Sequence, residues 1–358
     1  MSTRRATHAG SWYSDNADEL SGQLDSWLDI VPNPVSEIEP AGDKTPVPIQ
    51  GARAIIGPHA GYSYSGSNAA FAYKCIDPTQ IKRVFILGPS HHVFLNNRCA
   101  LSKCKEYSTP LGNLRLDLET IENLKGHGNW QTMSRDVDED EHSLEMHLPY
   151  IFKMFERQID RVSLVPILVG SLRFDGEQYY GELLAPYLAD PQNLFVISSD
   201  FCHWGSRFKY TYYQELSSDG QQPTGRATHL GKARGGGGGD RQLPGNTPIW
   251  KSIRKLDWDG MEVVARMDHA GFKRYLDDTD NTICGRHPIS VLLAAVNKLY
   301  PHPLAEEALE GQRNGGGNEV DWPRLRFVKY DQSSKVVGPA DSSVSYASAY
   351  LYLPSLNM

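Results

Sequence analysis

Apolar residues in this chain are gathered into short unbroken runs that stop at Gly, Pro or His. Ala54-Ile55-Ile56, Val84-Phe85-Ile86-Leu87, Leu164-Val165-Pro166-Ile167-Leu168-Val169 and Leu194-Phe195-Val196-Ile197 are the clearest. A run so short, with no polar alternation, predicts a strand covered on both faces. Helical stretches are expected between them, at Ser67 to Cys75 and Leu144 to Phe155. Pro149 should bend or restart the second, because its ring removes a donor and clashes with the preceding turn. This alternation predicts an α/β fold, a single domain with a central, mostly parallel sheet flanked by helices.

The ends of the chain add to that frame. Leu20, Leu24 and Leu28 repeat every four residues behind Asn16, a good helix cap, so a first helix should pack that stripe on the core. Val31 to Gln50 is Pro-rich and acidic without a helical or strand period, and reads as a surface loop. Ser217 to Pro248, which contains Gly235 through Gly239, reads as a flexible insertion because it has little apolar surface to bury. Gly311 to Asn318 marks a third such stretch, within 311–323. Beyond it, Leu325-Arg326-Phe327-Val328 and the alternating Val344 to Leu351 read as strands added antiparallel to the sheet. One domain over 1–358 with insertions at 31–50, 217–248 and 311–323 is therefore expected.

Composition narrows the function classes. The 358 residues are 40% hydrophobic and 22% charged, a globular balance. A formal net charge of -7 argues against a partner such as nucleic acid, which needs a basic face to release counterions. No apolar segment follows the basic start Arg4-Arg5 as a secretory signal would require, and no run is long enough for a membrane span. Five cysteines, an odd number with no CxxC pair, suit reduced thiols in the cytoplasm.

Reactive residues follow the apolar runs. In open α/β sheets, ligands bind beyond the carboxyl ends of the strands, so residues past different strands can share a site. His59 and His91 each sit two residues after Gly-Pro, and neutral imidazole is the commonest metal ligand. A hydrogen-bonded loop histidine is the alternative for either alone. Cys284 precedes Pro288 at the start of an apolar helix, where helix amides and Arg286 would favour a thiolate. A small buried hydrophobe is the alternative there. Asp200 and His203 are spaced so that a carboxylate can orient an imidazole for proton transfer, or form a structural hydrogen bond. His142 and His147 are five apart, about 140° round a helix, which is not the shared face of a zinc helix. Glu141, His142 and Glu145 remain candidates for a pocket wall, with His8, Trp12 and Tyr13 as further ones.

Taken together, Thr7-His8-Ala9-Gly10-Ser11-Trp12-Tyr13, Pro58-His59-Ala60-Gly61-Tyr62, Leu87-Gly88-Pro89-Ser90-His91-His92, Glu141 to Tyr150, Ser199 to Gly205, Cys284 to Pro288 and Asp341 to Tyr346 resemble the Memo family. The resemblance covers nearly the whole chain outside the insertions. It implies a fold like that of class III extradiol dioxygenases and a metal site on His59, His91 and Cys284. Asp200 and His203 match further pocket residues, with His203 as the acid/base. Tyr62, His92 and Arg286 fall in the matched segments and join the pocket list. The resemblance also implies copper or iron, redox activity, and a role in cell motility through phosphotyrosine peptides of signalling receptors, in the cytoplasm or nucleus. Cys284 replaces the dioxygenase carboxylate, and a thiolate favours copper(I) or zinc over a catechol-activating iron(II). Three readings follow: a metal-dependent redox protein, a phosphopeptide-binding or metal-sequestering module, and a zinc hydrolase.

Overall fold

The computed structural model describes residues 3–220, 222–230, 245–301 and 322–354. Four parallel strands form its centre, in the order Ala52–Gly57, Asn193–Ser198, Arg83–Pro89, Ser163–Val169. Ile56 lies opposite Ile197, Phe195 opposite Phe85, and Leu164 opposite Val84, all fully or almost fully buried. These are the unbroken apolar runs, and covering both faces explains why they carry no polar alternation. Ser343–Tyr352 adds antiparallel to Ala52–Gly57, with Arg324–Gln332 and the short His203–Trp204 paired to it in turn. At the opposite edge, Cys99–Leu101 runs antiparallel to Ser163–Val169, and Trp130–Thr132 lies beyond it.

Parallel strands end on one edge, so the loops after Gly57, Pro89 and Ser198 emerge side by side. That single consequence of topology gathers the site. The helices hold the sheet from its faces. Phe174–Ala189 packs against Arg286–Leu299 so closely that a Cβ on Gly181 would sit 2.5 Å from the Ala294 Cβ. Tyr62–Lys74 packs on Ala52–Gly57, Ser343–Tyr352 and the first helix, Ala17–Asp29. The Asn16 side chain accepts the Glu19 amide, and Leu20, Leu24 and Leu28 are buried, as the four-residue stripe requires.

Several local expectations change. The stretch expected as a surface loop, Val31 to Gln50, contains the hairpin Val35–Ile38 with Ala41–Thr45, and Val31, Val35, Val47 and Ile49 are buried. Its scattered apolar residues reach the core singly, so no period reveals them. The helix expected from Ser67 starts at Tyr62, because Ser and Gly in its first turns suit close packing where they would otherwise mark a turn. Gly66 faces the Trp27 ring, where a Cβ would lie 2.5 Å away. The stretch from Leu144 is two helices, His142–Glu145 and Leu148–Phe155, restarted at Pro149. Cys284 does not follow a strand: it lies in the loop between helices His269–Thr279 and Arg286–Leu299. Gly235 through Gly239 and Gly311 to Asn318 lie outside the described residues.

Candidate metal centre

His59 follows Gly57-Pro58 at the end of its strand and is buried. Its backbone amide donates to Asp200 Oδ1 at 2.9 Å, which fixes the loop, and its Nδ1 lies 2.6 Å from the Ser198 hydroxyl. That hydroxyl spends its proton on the Ser143 carbonyl at 2.7 Å, so it accepts from His59 Nδ1–H. The lone pair of His59 is therefore on Nε2, 3.1 Å from Cys284 Sγ. Burial, then the neighbouring imidazoles His91 and His142, push the His59 pKa well down, which keeps the ring neutral.

His91 reaches the same state by a different route. Glu141 accepts both its backbone amide, at 2.7 Å, and its Nδ1–H, at 2.8 Å. Burial alone would raise the Glu141 pKa, but the hydrogen bonds from His91 and Ser143 outweigh it and hold the carboxyl at about 2. A carboxylate on Nδ1 orients the ring and makes Nε2 the more basic donor. His203 follows the pattern a third time: its Nδ1 lies 2.9 Å from the Phe201 carbonyl and 3.1 Å from that of Thr282. Both are acceptors, so Nδ1 carries the proton and Nε2 the lone pair.

Cys284 is placed by its loop. The Asp200 amide points at Sγ from 3.2 Å, and the Gly285 amide donates to Ser199 Oγ at 3.1 Å. Gly285 must be glycine, since a Cβ there would approach the Ser198 carbonyl to 2.4 Å and the Ser199 Cβ to 2.3 Å. Burial and the Asp200 charge raise the Cys284 pKa well above the free thiol value, and Arg286 offsets only a little of that. This corrects the expectation of a free thiolate poised by Arg286: that side chain is exposed and turns back to the Ile283 carbonyl at 3.3 Å. Burial, not the helix terminus, sets the state of this thiol.

Asp200 and His203 also depart from expectation. The carboxylate serves the His59 backbone while backbone carbonyls orient His203, so the pair is not a carboxylate–imidazole relay. Burial raises the Asp200 pKa to about 7, and burial lowers that of His203.

Three groups have ligand atoms within 4.8 Å of one another among the described residues: His59, His91 and Cys284; His91, Glu141 and His142; Asp200, His203 and Cys284. The first fits a metal ion by its donor chemistry, two imidazole lone pairs and a sulfur.

Around this centre, His142 stacks on His91 at a ring separation of 4.4 Å, and Trp12 covers His142 at 4.5 Å. His92 is exposed and meets the edge of His142 at 6.1 Å, while His8 lies 5.9 Å from it. Tyr13 and Tyr62 are not at the mouth. The Tyr13 hydroxyl donates to Glu145 and that of Tyr62 to the Met146 carbonyl, both from buried rings packed at 5.4 Å. Sequence reasoning missed the supports Ser143, Ser198 and Thr282, whose residue types carry no signal of a ligand's partner. It also missed the buried Arg4, which pairs with Glu145 at 2.7 Å and Asp138 at 3.2 Å. Among the described residues, no helix is long and apolar enough to cross a membrane.

Comparison with known proteins agrees along the whole chain. A family model described as Memo-like protein matches residues 4–350. Protein MEMO1 from Homo sapiens is 44% identical over 348 residues, 97% of each chain. Protein MEMO1 from Danio rerio is 44% identical over 351 residues, 98% of each, and Protein memo-1 homolog from Caenorhabditis elegans is 41% identical, covering 98% of this chain and 83% of its own.

Proposed function

This chain belongs to the Memo-like family, and from that premise we propose that it is a metal-binding redox protein whose ion is held by His59, His91 and Cys284. The observation that carries the reading is the shared tautomer. His59 and His91 are both tied at Nδ1, by a hydroxyl and a carboxylate, which leaves Nε2 of each without a proton, and one nitrogen of each lies within 4.8 Å of the Cys284 sulfur. Two imidazoles and a soft thiolate suit copper, with iron as the second choice and zinc the redox-silent alternative. Bound there, copper or iron would supply one-electron chemistry.

The chain's own residues do the rest. His203 presents Nε2 as a neutral base beside Cys284 and can take or return a proton at that atom, with Nδ1 held by two carbonyls. Asp200 holds the His59 loop and, with a pKa near neutrality, carries a proton part of the time. The thiolate in place of a carboxylate argues against catechol ring cleavage as the reaction. Elemental analysis of protein from its native source, beside His59→Ala and Cys284→Ser, tests the reading: one ion per chain in the wild type, lost in both variants, is expected. Unchanged stoichiometry in both would sink it.

A second reading, a cytoplasmic or nuclear signalling module that takes a phosphotyrosine peptide, is favoured by one feature. Arg286 is exposed at the N-terminus of a 14-residue helix, beside the same pocket. It predicts peptide binding that survives metal removal and weakens in Arg286→Ala. Absence of saturable binding in calorimetry would remove it.

A further inference from the structure

Asp257, in the helix Ile249–Ala265, is a fully buried carboxylate that the metal-centre reading does not use. Burial raises its pKa to about 6, and hydrogen bonds from Ser345, Tyr330 and Asn281 limit the rise. Holding a carboxylate in the interior is costly, so the groups that satisfy it are informative. Oδ2 accepts the Tyr330 hydroxyl at 2.8 Å, a bond that braces the helix on the strand Arg324–Gln332. Oδ1 has a different pair of partners. It accepts the Cys202 backbone amide at 3.1 Å and the Asn281 side-chain amide at 3.2 Å, joining two loops that are far apart in the chain.

Those two residues stand next to the contacts that hold His203. Cys202 lies between Phe201 and His203, and Asn281 directly precedes Thr282. The Phe201 and Thr282 carbonyls are the two acceptors on His203 Nδ1, and Thr282 Oγ1 accepts the His203 amide at 2.7 Å. Cys284 follows two residues after Thr282. The two loops are anchored differently. Phe201 and Cys202 are bound to the sheet through Ser345, whose carbonyl accepts the Phe201 amide at 2.8 Å and whose amide donates to the Cys202 carbonyl at 3.0 Å. Asn281 lies instead between the helices His269–Thr279 and Arg286–Leu299. Its side chain also donates to the Tyr275 hydroxyl at 2.7 Å, which donates to the Leu256 carbonyl, so a second path leads from Asn281 to the helix of Asp257. One carboxylate oxygen thus ties the loop of Cys284 to the sheet-anchored loop of His203.

We propose that Asp257 is a positioning residue for the metal centre: by holding Cys202 and Asn281 on one oxygen, it fixes the spacing of the loops that present His203 and Cys284. The consequence for the ion rests on the metal-binding reading; the link between the loops does not. The role is geometric, because Oδ1 acts as a two-fold acceptor and an amide oxygen can do the same. Asn at this position keeps that oxygen and turns its NH2 toward the Tyr330 and Ser345 hydroxyls, both able to accept. Ala removes the bonds to Cys202, Asn281 and Tyr330 together.

Copper(I) affinity by chelator competition, together with amide hydrogen exchange of the apo-protein, tests it. Asp257→Ala should bind copper(I) about ten-fold more weakly, the low end of the loss for removing a ligand's outer support. Its His203 amide should exchange about ten-fold faster, while the amide of Val84, in a central strand, keeps its rate. Asp257→Asn should restore both readouts to within about two-fold of wild type, since the accepting oxygen is kept. If Asp257→Ala does not fold, Asn281→Ala cuts the same link from the other loop and should reproduce both effects. Asp257→Asn as impaired as Asp257→Ala, or wild-type affinity and exchange in Asn281→Ala, would overturn the proposal. A wild type that takes up no copper(I) would sink the metal reading. Faster His203 exchange in Asp257→Ala would then still uphold the link between the loops, and unchanged exchange would remove it as well.

Discussion

Two histidine–carboxylate clusters, one in the pocket and one on the helix Arg286–Leu299, are built to opposite purposes. In the pocket, Glu141 takes one ring, at Nδ1 of His91, and leaves its other nitrogen free, in a residue grouped with Cys284 and His59. Behind it, Glu177 takes two histidines at once: Oε2 lies 2.9 Å from His269 Nε2 and Oε1 2.7 Å from His287 Nδ1. Both carboxylates are buried, and in both clusters hydrogen bonds from histidine overcome burial to lower the carboxyl pKa. Only the first is among the groups whose ligand atoms converge. One carboxylate on one imidazole makes a ligand; one carboxylate between two imidazoles makes a brace, here joining the helices Phe174–Ala189, His269–Thr279 and Arg286–Leu299.

If that contrast is right, the two carboxylates fail differently. Glu177→Ala should cost about 3–5 kcal/mol of folding stability, the range for breaking a buried charge pair. Urea unfolding reads that loss, while the metal content of the folded fraction stays at wild-type level. Cys284→Ser should do the reverse: metal affinity down by about 100-fold or more, beyond the loss typical of an outer partner, with the midpoint of apo-protein unfolding nearly unmoved. Competition with a chelator measures it. Glu141→Gln lies between, because the amide still accepts from Nδ1 but no longer raises the ring's basicity. Affinity should fall about 10- to 100-fold, and an equal fall for Glu177→Gln would erase the distinction.

The smallest effect concerns His147, buried behind the pocket with Nδ1 on the Tyr73 hydroxyl at 2.8 Å and Nε2 unpartnered. Burial lowers its pKa to about 3. Below the unfolded value of about 6.5, the unfolded chain takes a proton that the folded chain refuses. Its contribution is thus complete above pH 6.5 and is lost as pH falls toward 3. Relative to wild type, His147→Gln should flatten the dependence of unfolding free energy on pH between 6 and 4 by about 1.4 kcal/mol per unit. Parallel curves would mean that the ring is protonated in the fold.

The legible parts of this molecule are those that a local rule governs. The four parallel strands were readable because continuous burial leaves an unbroken apolar run, and the first helix because Asn16 caps a leucine stripe. The hairpin within Val31 to Gln50 was not, since its strand Val35–Ile38 is placed against Arg324–Gln332, far along the chain. Cys284 was picked out for its neighbours, Gly285 to Pro288, yet its setting is a loop between two helices and its thiol is held by burial rather than activated.

The sequence by itself determined which residue types stand past the strand ends, and parallel pairing alone then brings His59, His91 and Asp200 to one edge of the sheet. Which nitrogen of each imidazole is free, whether Asp200 serves His203 or the His59 backbone, and which glutamate makes a ligand rather than a brace were decided only by tertiary structure. Apart from the Phe201 carbonyl on His203, each depends on a hydrogen bond between residues at least fifty positions apart, such as His91 with Glu141 or His59 with Ser198, and no local pattern records a partner at that distance.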